Sequence, residues 1–301
     1  MTVLSTIVST MRPPFLLLVV SCLSLGIGFA CYVGIQLSAD VLSWIVVCGV
    51  SAHIAVNMLN EYVDCVSKLD FATRKTPFSG GSGALVQQPG SAKLVKYTGL
   101  LFVGITIGSG LLVIQYSPAA WLTLAVMGVV GIVIVVSYTP VLNRMPWLCL
   151  IAPGLGFGVL MTYGGFVAIS GQHHTVMFTL ALVPAMLTNN LLLINQFPDA
   201  TADAQHGRKH VVTQYGYVFC AHIYLIQWLL TLALITGSVM LHALPLITLL
   251  GLLPLVFGWR IYHQALNFKG ADSSFQTAMG QNVLMTLASP FILGVTLCVG
   301  A

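Results

Sequence analysis

Carboxylate side chains gather in two short clusters of an otherwise apolar chain. Only seven residues are acidic in a chain of 301. Glu61, Asp64 and Asp70 form the first cluster, and Asp199 and Asp203 form the second. Each cluster lies at the end of a hydrophobic segment. Ionisable groups are costly beside a membrane interior, so a chain that concentrates its few carboxylates in this way uses them for function.

A polar stripe leads into the first cluster. His53, Asn57, Asn60 and Asp64 are spaced by four, three and four residues. On an α-helix this spacing places them on one face, running from the middle of a membrane to its rim. Polar side chains at that depth face a cavity or the bundle interior rather than lipid. For His53 and Asn57, hydrogen bonds between helices are an equally good explanation.

The carboxylates are suited to binding a divalent cation. Asp64 and Asp70 on one side, and Asp199 and Asp203 on the other, offer the hard oxygen ligands that Mg²⁺ prefers. If a helix continues past Pro198, Asp199 and Asp203 share one of its faces; if Pro198 breaks it, both lie in a first turn. Gathered carboxylates repel one another unless a cation neutralises them. The pattern therefore predicts a Mg²⁺ site.

Basic residues are interleaved with these carboxylates. They are Lys68, Arg74, Lys75, Arg208 and Lys209. A site with both acidic metal ligands and fixed cations suits a polyanion bridged by metal, most simply a diphosphate. Membrane topology and contact with lipid headgroups also explain the basic residues, but not the carboxylates among them. The intervening segment TPFSGGSG (76–83) can wrap a phosphate with backbone N–H groups or act as a flexible lid, and it is not a P-loop.

The composition requires a membrane to hold these residues in place. The chain is 57% hydrophobic and only 6% charged, whereas soluble domains are about 25% charged. Apolar runs of roughly 20 residues, enough to cross a bilayer, recur throughout. We expect a polytopic α-helical protein with one integral unit over 1–301, no nucleic-acid partner, and cysteines that serve as packing residues. The nine predicted spans are 13–35, 40–61, 94–115, 119–137, 147–169, 176–196, 214–238, 242–262 and 279–299.

Basic residues also predict the orientation. With the N-terminus inside, all eleven Lys and Arg residues fall in inside segments, and the outside face carries none of them. By the positive-inside rule the N-terminus and both carboxylate clusters are cytoplasmic and the C-terminus is outside; in a bacterium this membrane is the plasma membrane. The long inside loops then form the working end.

The two clusters resemble the Asp-rich motifs of a known family, the UbiA superfamily of intramembrane prenyltransferases. Asn60-Glu-Tyr-Val-Asp64, followed by Asp70 and TPFSGGSG, looks like the first motif. The longer spacing to Asp70 is closer to the 1,4-dihydroxy-2-naphthoate (menaquinone) branch than to the 4-hydroxybenzoate branch. INQFPDATADAQHGRKHVVTQYG (194–216) is similar to the second motif. MRPPFLLL (11–18) resembles the usual start of the first span, and YTP (138–140) the usual end of the fourth.

The resemblance implies an all-α bundle of nine transmembrane helices around a central cavity and a Mg²⁺-dependent reaction. It makes Asp64, Asp70, Asp199 and Asp203 the catalytic carboxylates, with Asp70 either a metal ligand or an acceptor-side group. The implied Mg²⁺ ligands are Asn60, Asp64, Asp199 and Asp203. The residues implied to bind the diphosphate are Asn60, Lys68, Arg74, Lys75, Arg208 and Lys209.

Two positions depart from the family pattern. Glu61 stands where Asp is usual, which lengthens the carboxylate arm. Gln196-Phe197-Pro198 replaces the more common Asn-x-Arg and removes a cation near the diphosphate. Among the histidines, His53 is a candidate acceptor-side group together with Asn57, whereas His206 and His210 are interpreted as loop residues.

The predicted function is transfer of a polyprenyl group from its diphosphate to an aromatic quinone precursor, with 1,4-dihydroxy-2-naphthoate as the leading acceptor. Metal and cations stabilise the departing diphosphate, and the apolar bundle keeps the allylic cation from water. Alternative acceptors are 4-hydroxybenzoate, homogentisate or a substrate that is not a quinone precursor. The alternative from another class is a transporter with acidic ion sites, but transporters place ionisable residues near the midplane, not at the rim.

Overall fold

Helices account for the regular secondary structure of the described residues. The computed structural model describes residues 2–73 and 75–300, and no β-strand occurs among them. The α-helices are α1 (Val3–Thr10), α2 (Leu17–Tyr32), α3 (Ala39–Val66), α4 (Leu69–Ala72), α5 (Ala84–Gln87), α6 (Ala92–Tyr116), α7 (Trp121–Ser137), α8 (Pro146–Gly154), α9 (Gly164–Ser170), α10 (Thr175–Gln205), α11 (Val211–Met240), α12 (Gly258–Leu266) and α13 (Ser273–Val299). A π-helical segment (Leu155–Tyr163) joins α8 to α9, and a 3₁₀ segment (Leu246–Phe257) precedes α12.

Nine of the described helical segments are long and apolar enough to cross a membrane, as the sequence predicts. Their bounds are Val3–Tyr32, Ala39–Val66, Pro89–Tyr116, Pro118–Ser137, Pro146–Ser170, Thr175–Gln205, Val211–Met240, Leu246–Leu266 and Ser273–Val299. Two of them extend well beyond their predicted ends. Helix α3 continues to Val66 and α10 to Gln205, so both motifs lie largely on helices rather than in loops.

The π-helical segment has two local causes, Pro153 and Gly154. Pro153 has no N–H to donate to the helix. The Gly154 N–H donates instead to the Asn189 side chain on α10, at 2.7 Å. A Cβ at Gly154 would lie 2.5 Å from the Ala185 carbonyl oxygen, so only glycine allows this approach. π-Helical turns are frequent at functional sites, and this one borders the cavity described below.

The first and last long helices meet through glycine. A Cβ at Gly28 of α2 would lie only 2.0 Å from the Gly294 carbonyl oxygen of α13. Ser21 also donates to the Leu287 carbonyl oxygen at 2.6 Å. Small residues permit such backbone contact between membrane helices, where van der Waals packing and hydrogen bonds replace the hydrophobic effect. The contact fixes the two ends of the bundle side by side.

The spans differ sharply in how much of their surface other helices cover. In α10, 72% of the most apolar window is buried, whereas the span ending at Ser137 has only 11% buried. Helix α10 is therefore central, and α7 lies at the periphery with large apolar residues such as Leu122 and Val126 exposed. In a lipid-embedded protein those faces contact lipid. The nine apolar helices indicate an integral membrane protein.

Candidate active site

A cavity of about 780 Å³ lies between α3, α6, α7, the π-helical segment and α10. Most of its wall is apolar, and α3, α6, α7 and the π-helical segment all contribute apolar residues to it. Its polar end is formed where α3 and α10 end and the loops begin. The polar groups there are Asn60, Asp64, Asp70, Asp199, Asp203 and Arg208. Two carboxylate clusters that are far apart in the sequence thus share one cavity.

The polar stripe of α3 faces this cavity along its length, as its spacing predicts. His53, Asn57, Asn60 and Asp64 all contribute to the wall. The Asn60 amide donates to Asp64 Oδ2 at 3.0 Å, and its Oδ1 accepts a hydrogen bond from Thr139 at 2.9 Å. Asn60 is therefore held in one orientation beside Asp64. Deeper in the cavity, the rings of His53 and Phe157 meet edge to face, with centroids 4.8 Å apart.

The second cluster lies on the last turns of α10. The helix continues through Pro198 to Gln205, so Asp199 and Asp203 are one turn apart on the same face, and both border the cavity. Of the two arrangements open from the sequence, the continuous helix is the one that forms. Asp203 is 2% exposed, and its Oδ2 lies 3.0 Å from His210 Nε2.

Arg208 joins the two clusters. Its guanidinium donates to Asp64 on α3 and to Asp203 Oδ1 on α10, the latter at 3.2 Å. Burial disfavours the charged guanidinium, but the Asp64 and Asp203 carboxylates outweigh that cost and raise the pKa of Arg208 above its usual value. Arg208 is therefore a fixed cation at the polar end of the cavity.

The glycine-rich loop, residues 76–83, covers this end. The Gly80 N–H donates to Asp199 Oδ2 at 3.2 Å. Gly81 has a φ of 69°, and a Cβ added to it would lie 3.0 Å from Asp70 Oδ1. Glycine at this position thus supplies both a left-handed backbone and room for the carboxylate. The loop is in contact with both clusters.

Asp70 lies beneath that loop on the short helix α4. It is 7% exposed. Burial, together with the charges of Asp64 and Glu61, raises the pKa of Asp70 to about 8. The carboxyl group would ionise more readily beside a cation.

Several oxygens at this end have no hydrogen-bond partner among the described residues. They are Asp70 Oδ2, Asp199 Oδ1, Asn195 Oδ1 and Gln196 Oε1, and all four side chains border the cavity. Orphaned buried oxygens of this kind are costly unless a ligand satisfies them. The donor set is entirely oxygen, which fits a hard cation. No group of three or more His, Cys, Asp or Glu side chains in the described ranges is already gathered around a metal position, and Asp64 and Asp203 are paired with Arg208.

A family model for the "UbiA prenyltransferase family" matches residues 18–289. The chain belongs to the UbiA prenyltransferase family. It is therefore a prenyltransferase of the membrane-embedded type. The match includes both carboxylate clusters, the glycine-rich loop and the cavity walls from Leu18 onward. A comparison with curated protein sequences finds no match.

Solved structures share the UbiA fold at low sequence identity. A UbiA homologue from Archaeoglobus fulgidus bound to DMAPP and Mg²⁺ is 16% identical, with a TM-score of 0.66 over 96% of this chain and 99% of that one. An apo UbiA homologue from Aeropyrum pernix K1 is also 16% identical, with a TM-score of 0.64 over 93% and 97%. A digeranylgeranylglyceryl phosphate synthase is 11% identical, with a TM-score of 0.63 over 99% and 100%. At these identities the likeness establishes the fold alone.

Only some basic residues of the UbiA motifs border the cavity in the described part of the chain. Among the described residues, Arg208 and Arg12 are the cations that border the cavity. Lys68 is exposed with a left-handed φ of 62°, and the Lys75 ammonium donates to the Ser82 carbonyl oxygen. Lys209 is exposed and donates its backbone N–H to the Asn143 carbonyl oxygen at 2.9 Å. For these three lysines, diphosphate binding remains a prediction.

Arg74 lies outside the described residues. His206 Nδ1 lies 2.9 Å from the Ala202 carbonyl oxygen, near the end of α10, and does not border the cavity. His210, interpreted from the sequence as a loop residue, does border it and contacts Asp203.

Sequence reasoning missed other groups of this UbiA site. Arg12 contributes to the sequence argument as one of the basic residues that predict topology, yet it borders the cavity, as do Asn195 and Gln196. Gln196 is marked in the sequence only as a departure from the family pattern, and Asn195 follows a long apolar run in which no spacing rule singles it out. Arg12 precedes two prolines and has a left-handed φ of 54°, a backbone conformation that the sequence does not predict.

Proposed function

We propose that this protein transfers a polyprenyl group from polyprenyl diphosphate to an aromatic quinone precursor. One observation carries the proposal. Arg208 and the unpartnered oxygens of Asp70 and Asp199 lie together at the polar end of a largely apolar cavity of about 780 Å³. A diphosphate requires the charged end, and an isoprenoid chain requires the apolar remainder. One molecule that joins the two is a polyprenyl diphosphate.

Mg²⁺ is the cation we propose for the polar end. Asn60, Asp64, Asp199 and Asp203 would hold it, with Asp70 as a further ligand or an acceptor-side group. The bound ion would supply charge neutralisation of the diphosphate oxygens. Support comes from the all-oxygen donor set and from the Archaeoglobus fulgidus homologue solved with DMAPP and Mg²⁺.

The residues of the chain favour departure of the diphosphate. Arg208 has five N–H donors in a planar fork, so it can share them between Asp64, Asp203 and an incoming phosphate. The carbon–oxygen bond of the allylic diphosphate then breaks toward a fixed positive group. The apolar walls exclude water from the allylic cation. An electron-rich aromatic carbon attacks that cation and then loses its proton.

The acceptor is proposed to lie on the inner part of the α3 stripe. His53 and Phe157 present ring surfaces to the cavity, and Asn57 borders it next to His53. Flat ring surfaces suit an aromatic acceptor. The resemblance of the Asp64 to Asp70 segment to the menaquinone branch favours 1,4-dihydroxy-2-naphthoate, with 4-hydroxybenzoate, homogentisate or a substrate that is not a quinone precursor as alternatives. The whole chain, 1–301, is proposed to act as one unit with its N-terminus and loop end in the cytoplasm.

A transporter with acidic ion sites is the alternative from another class. The clustered carboxylates lie at one rim of the bundle, and Asp64 and Asp203 share Arg208, whereas transporter sites lie near the midplane. This arrangement favours the enzyme.

The proposal is tested by transfer assays on the purified protein in detergent. Radiolabelled polyprenyl diphosphate is incubated with Mg²⁺ and a panel of the three aromatic acceptors, and both released diphosphate and prenylated product are measured. We expect product with one acceptor, abolished by EDTA and by Asp64→Asn. Folded wild-type protein that forms no product with any acceptor would contradict the proposal, and ion-flux measurements in liposomes would then test the transporter.

A further inference from the structure

Glu61 neighbours the Asn60 motif residue but does not border the cavity. It is fully buried at 0% exposure, and its partners lie in two other parts of the chain. The Arg12 Nε donates to Glu61 Oε1 at 2.8 Å. The Ser82 backbone N–H donates to the same oxygen at 2.6 Å, and the Ser82 hydroxyl donates to Oε2 at 2.7 Å. A buried carboxylate that accepts from this many donors is held in one position.

Every polar group of Ser82 has a hydrogen-bond partner within the protein. Its N–H and hydroxyl are taken by Glu61, and its carbonyl oxygen accepts from the Lys75 ammonium at the start of the loop. The hydroxyl oxygen also accepts from the Ala84 N–H at 3.1 Å. Ser82 therefore has no donor left for a substrate. Its position in the loop is set from behind by Glu61.

The other face of the same loop borders the cavity. Phe78, Ser79, Gly80 and Gly81 all contribute to the wall, and the Gly80 N–H reaches Asp199. Only one residue separates Gly80 from Ser82. A shift of Ser82 would therefore be transmitted to the loop face that meets Asp199 and Asp70.

We propose that Glu61, held by Arg12, is a positioning residue that anchors the glycine-rich loop through Ser82 and so sets the loop's distance from the diphosphate site. The identity of the substrate rests on the proposed function, whereas the contact between Glu61 and Ser82 does not. Arg12 neutralises the Glu61 carboxylate, since a buried carboxylate without a cation would be costly. Glu61 then acts on the substrate only through the loop.

The competing explanation is a purely structural ion pair that ties the N-terminal segment to α3. Breaking such a pair destabilises the whole protein, so Glu61→Ala is a poor test. Ser82→Ala is sharper because it leaves the pair intact and removes the hydroxyl that donates to Oε2, together with the weaker hydrogen bond from the Ala84 N–H. Ser289→Ala is the matched control. Ser289 is also buried, and its hydroxyl donates one hydrogen bond of 2.7 Å to the Gly251 carbonyl oxygen, away from the loop.

The experiment compares wild type, Ser82→Ala, Glu61→Gln, the double variant and Ser289→Ala. The first measurement is trypsin cleavage after Lys75 in the detergent-purified protein, which reports the opening of the loop without any substrate. The second is the KM for polyprenyl diphosphate, measured together with kcat. The thermal unfolding midpoint is recorded for each protein to separate loop effects from stability.

We expect Ser82→Ala to raise both the cleavage rate and KM by on the order of tenfold, the effect of one hydrogen bond to a charged group, with a smaller change in kcat. The double variant should match Glu61→Gln, because both substitutions weaken the same contact, the one between Glu61 and Ser82. Ser289→Ala should leave cleavage and KM at wild-type values. Wild-type cleavage and KM in Ser82→Ala, or additive effects in the double variant, would overturn the proposal. If wild type turns over no prenyl diphosphate, the proposed function fails, and the cleavage rates still decide the role of Glu61.

Discussion

The guanidinium of Arg208 donates a hydrogen bond to the carboxylate of Asp64, 144 residues earlier in the chain. The same guanidinium reaches Asp203 at 3.2 Å. One cation thus neutralises the nearest carboxylates of both motifs. This contact holds the end of α3 against the end of α10. Its charge also lies where the proposed diphosphate would leave.

Arg208→Ala is expected to lower kcat/KM for polyprenyl diphosphate by roughly 10²–10³-fold. This is the usual cost of removing a fixed group that stabilises charge in the transition state. Arg208→Lys should recover part of the loss, because lysine restores the charge but not the fork that bridges two carboxylates. The exposed Lys93→Ala is the control and should retain wild-type kinetics. Equal activity in Arg208→Ala and Lys93→Ala would exclude Arg208 from the reaction.

Asp199→Asn is expected to raise the Mg²⁺ concentration that gives half-maximal activity by about tenfold or more, since one charged oxygen ligand is lost. Titration of activity with Mg²⁺ measures the change. Asp40→Asn serves as the control, because Asp40 is exposed at the opposite end of α3. An unchanged Mg²⁺ requirement in Asp199→Asn would remove Asp199 from the ligand set.

The fold was largely predictable because every residue of a span contributes to the mean hydropathy that marks it as a membrane helix. Nine apolar runs predict nine helices whatever their packing, and the two motifs lie at the ends of the second and sixth of them. The ends were less predictable. Polar residues such as Asp64 and Asp203 lower hydropathy, yet the helix continues through them because their side chains find partners in the site.

The site was predictable only where its residues follow helical spacing. Asn60 and Asp64, or Asp199 and Asp203, lie one turn apart, so their common face follows from the sequence. The contact of Arg12 with Glu61 does not, because it joins two segments through tertiary packing. Lys75 illustrates the same limit. Its ammonium donates to the Ser82 carbonyl oxygen, a contact that its charge and position in the sequence do not predict.

Asp70 makes the metal-free protein less stable as the pH rises. Burial raises its pKa to about 8, whereas an unfolded chain loses this proton near pH 4, at about 3.9. Between these values the folded state binds more protons than the unfolded state, so stability falls with increasing pH. Asp70→Asn should remove this dependence, which is on the order of 4 kcal/mol between pH 5 and 8 at about 1.4 kcal/mol per unit.

Thermal unfolding in EDTA at pH 5 to 9 tests this expectation. The unfolding midpoint of wild type should decrease toward pH 9 more steeply than that of Asp70→Asn. Parallel curves for the two proteins would show that Asp70 is ionised alike in the folded and unfolded states.

The orientation of the bundle is tested by labelling from one side. Lys269 and Gln172 are both exposed, and they lie in loops at opposite ends of the bundle. In a background without native cysteines, Lys269→Cys should react with an impermeant maleimide only in inside-out vesicles, because basic loops stay in the cytoplasm. Gln172→Cys should react only in right-side-out vesicles. The reverse pattern would place the glycine-rich loop outside.

The apolar part of the cavity should determine which prenyl chains are accepted. Gly156 borders the cavity on the π-helical segment, and a Cβ there meets nothing within 4 Å. Gly156→Leu should therefore fit without strain and occupy space meant for the chain. We expect kcat/KM for a long polyprenyl diphosphate to fall by on the order of tenfold relative to that for a short one, as differences of a few methylenes do in apolar pockets.

Gly108→Leu is the matched control for this substitution. Gly108 also has open space around it but is exposed on α6 and does not border the cavity. Competition assays with a mixture of short and long polyprenyl diphosphates measure the preference directly. Because leucine at Gly108 adds the same volume toward the periphery, it should leave the ratio unchanged. A preference that shifts equally in both variants, or in neither, would show that this cavity does not hold the chain.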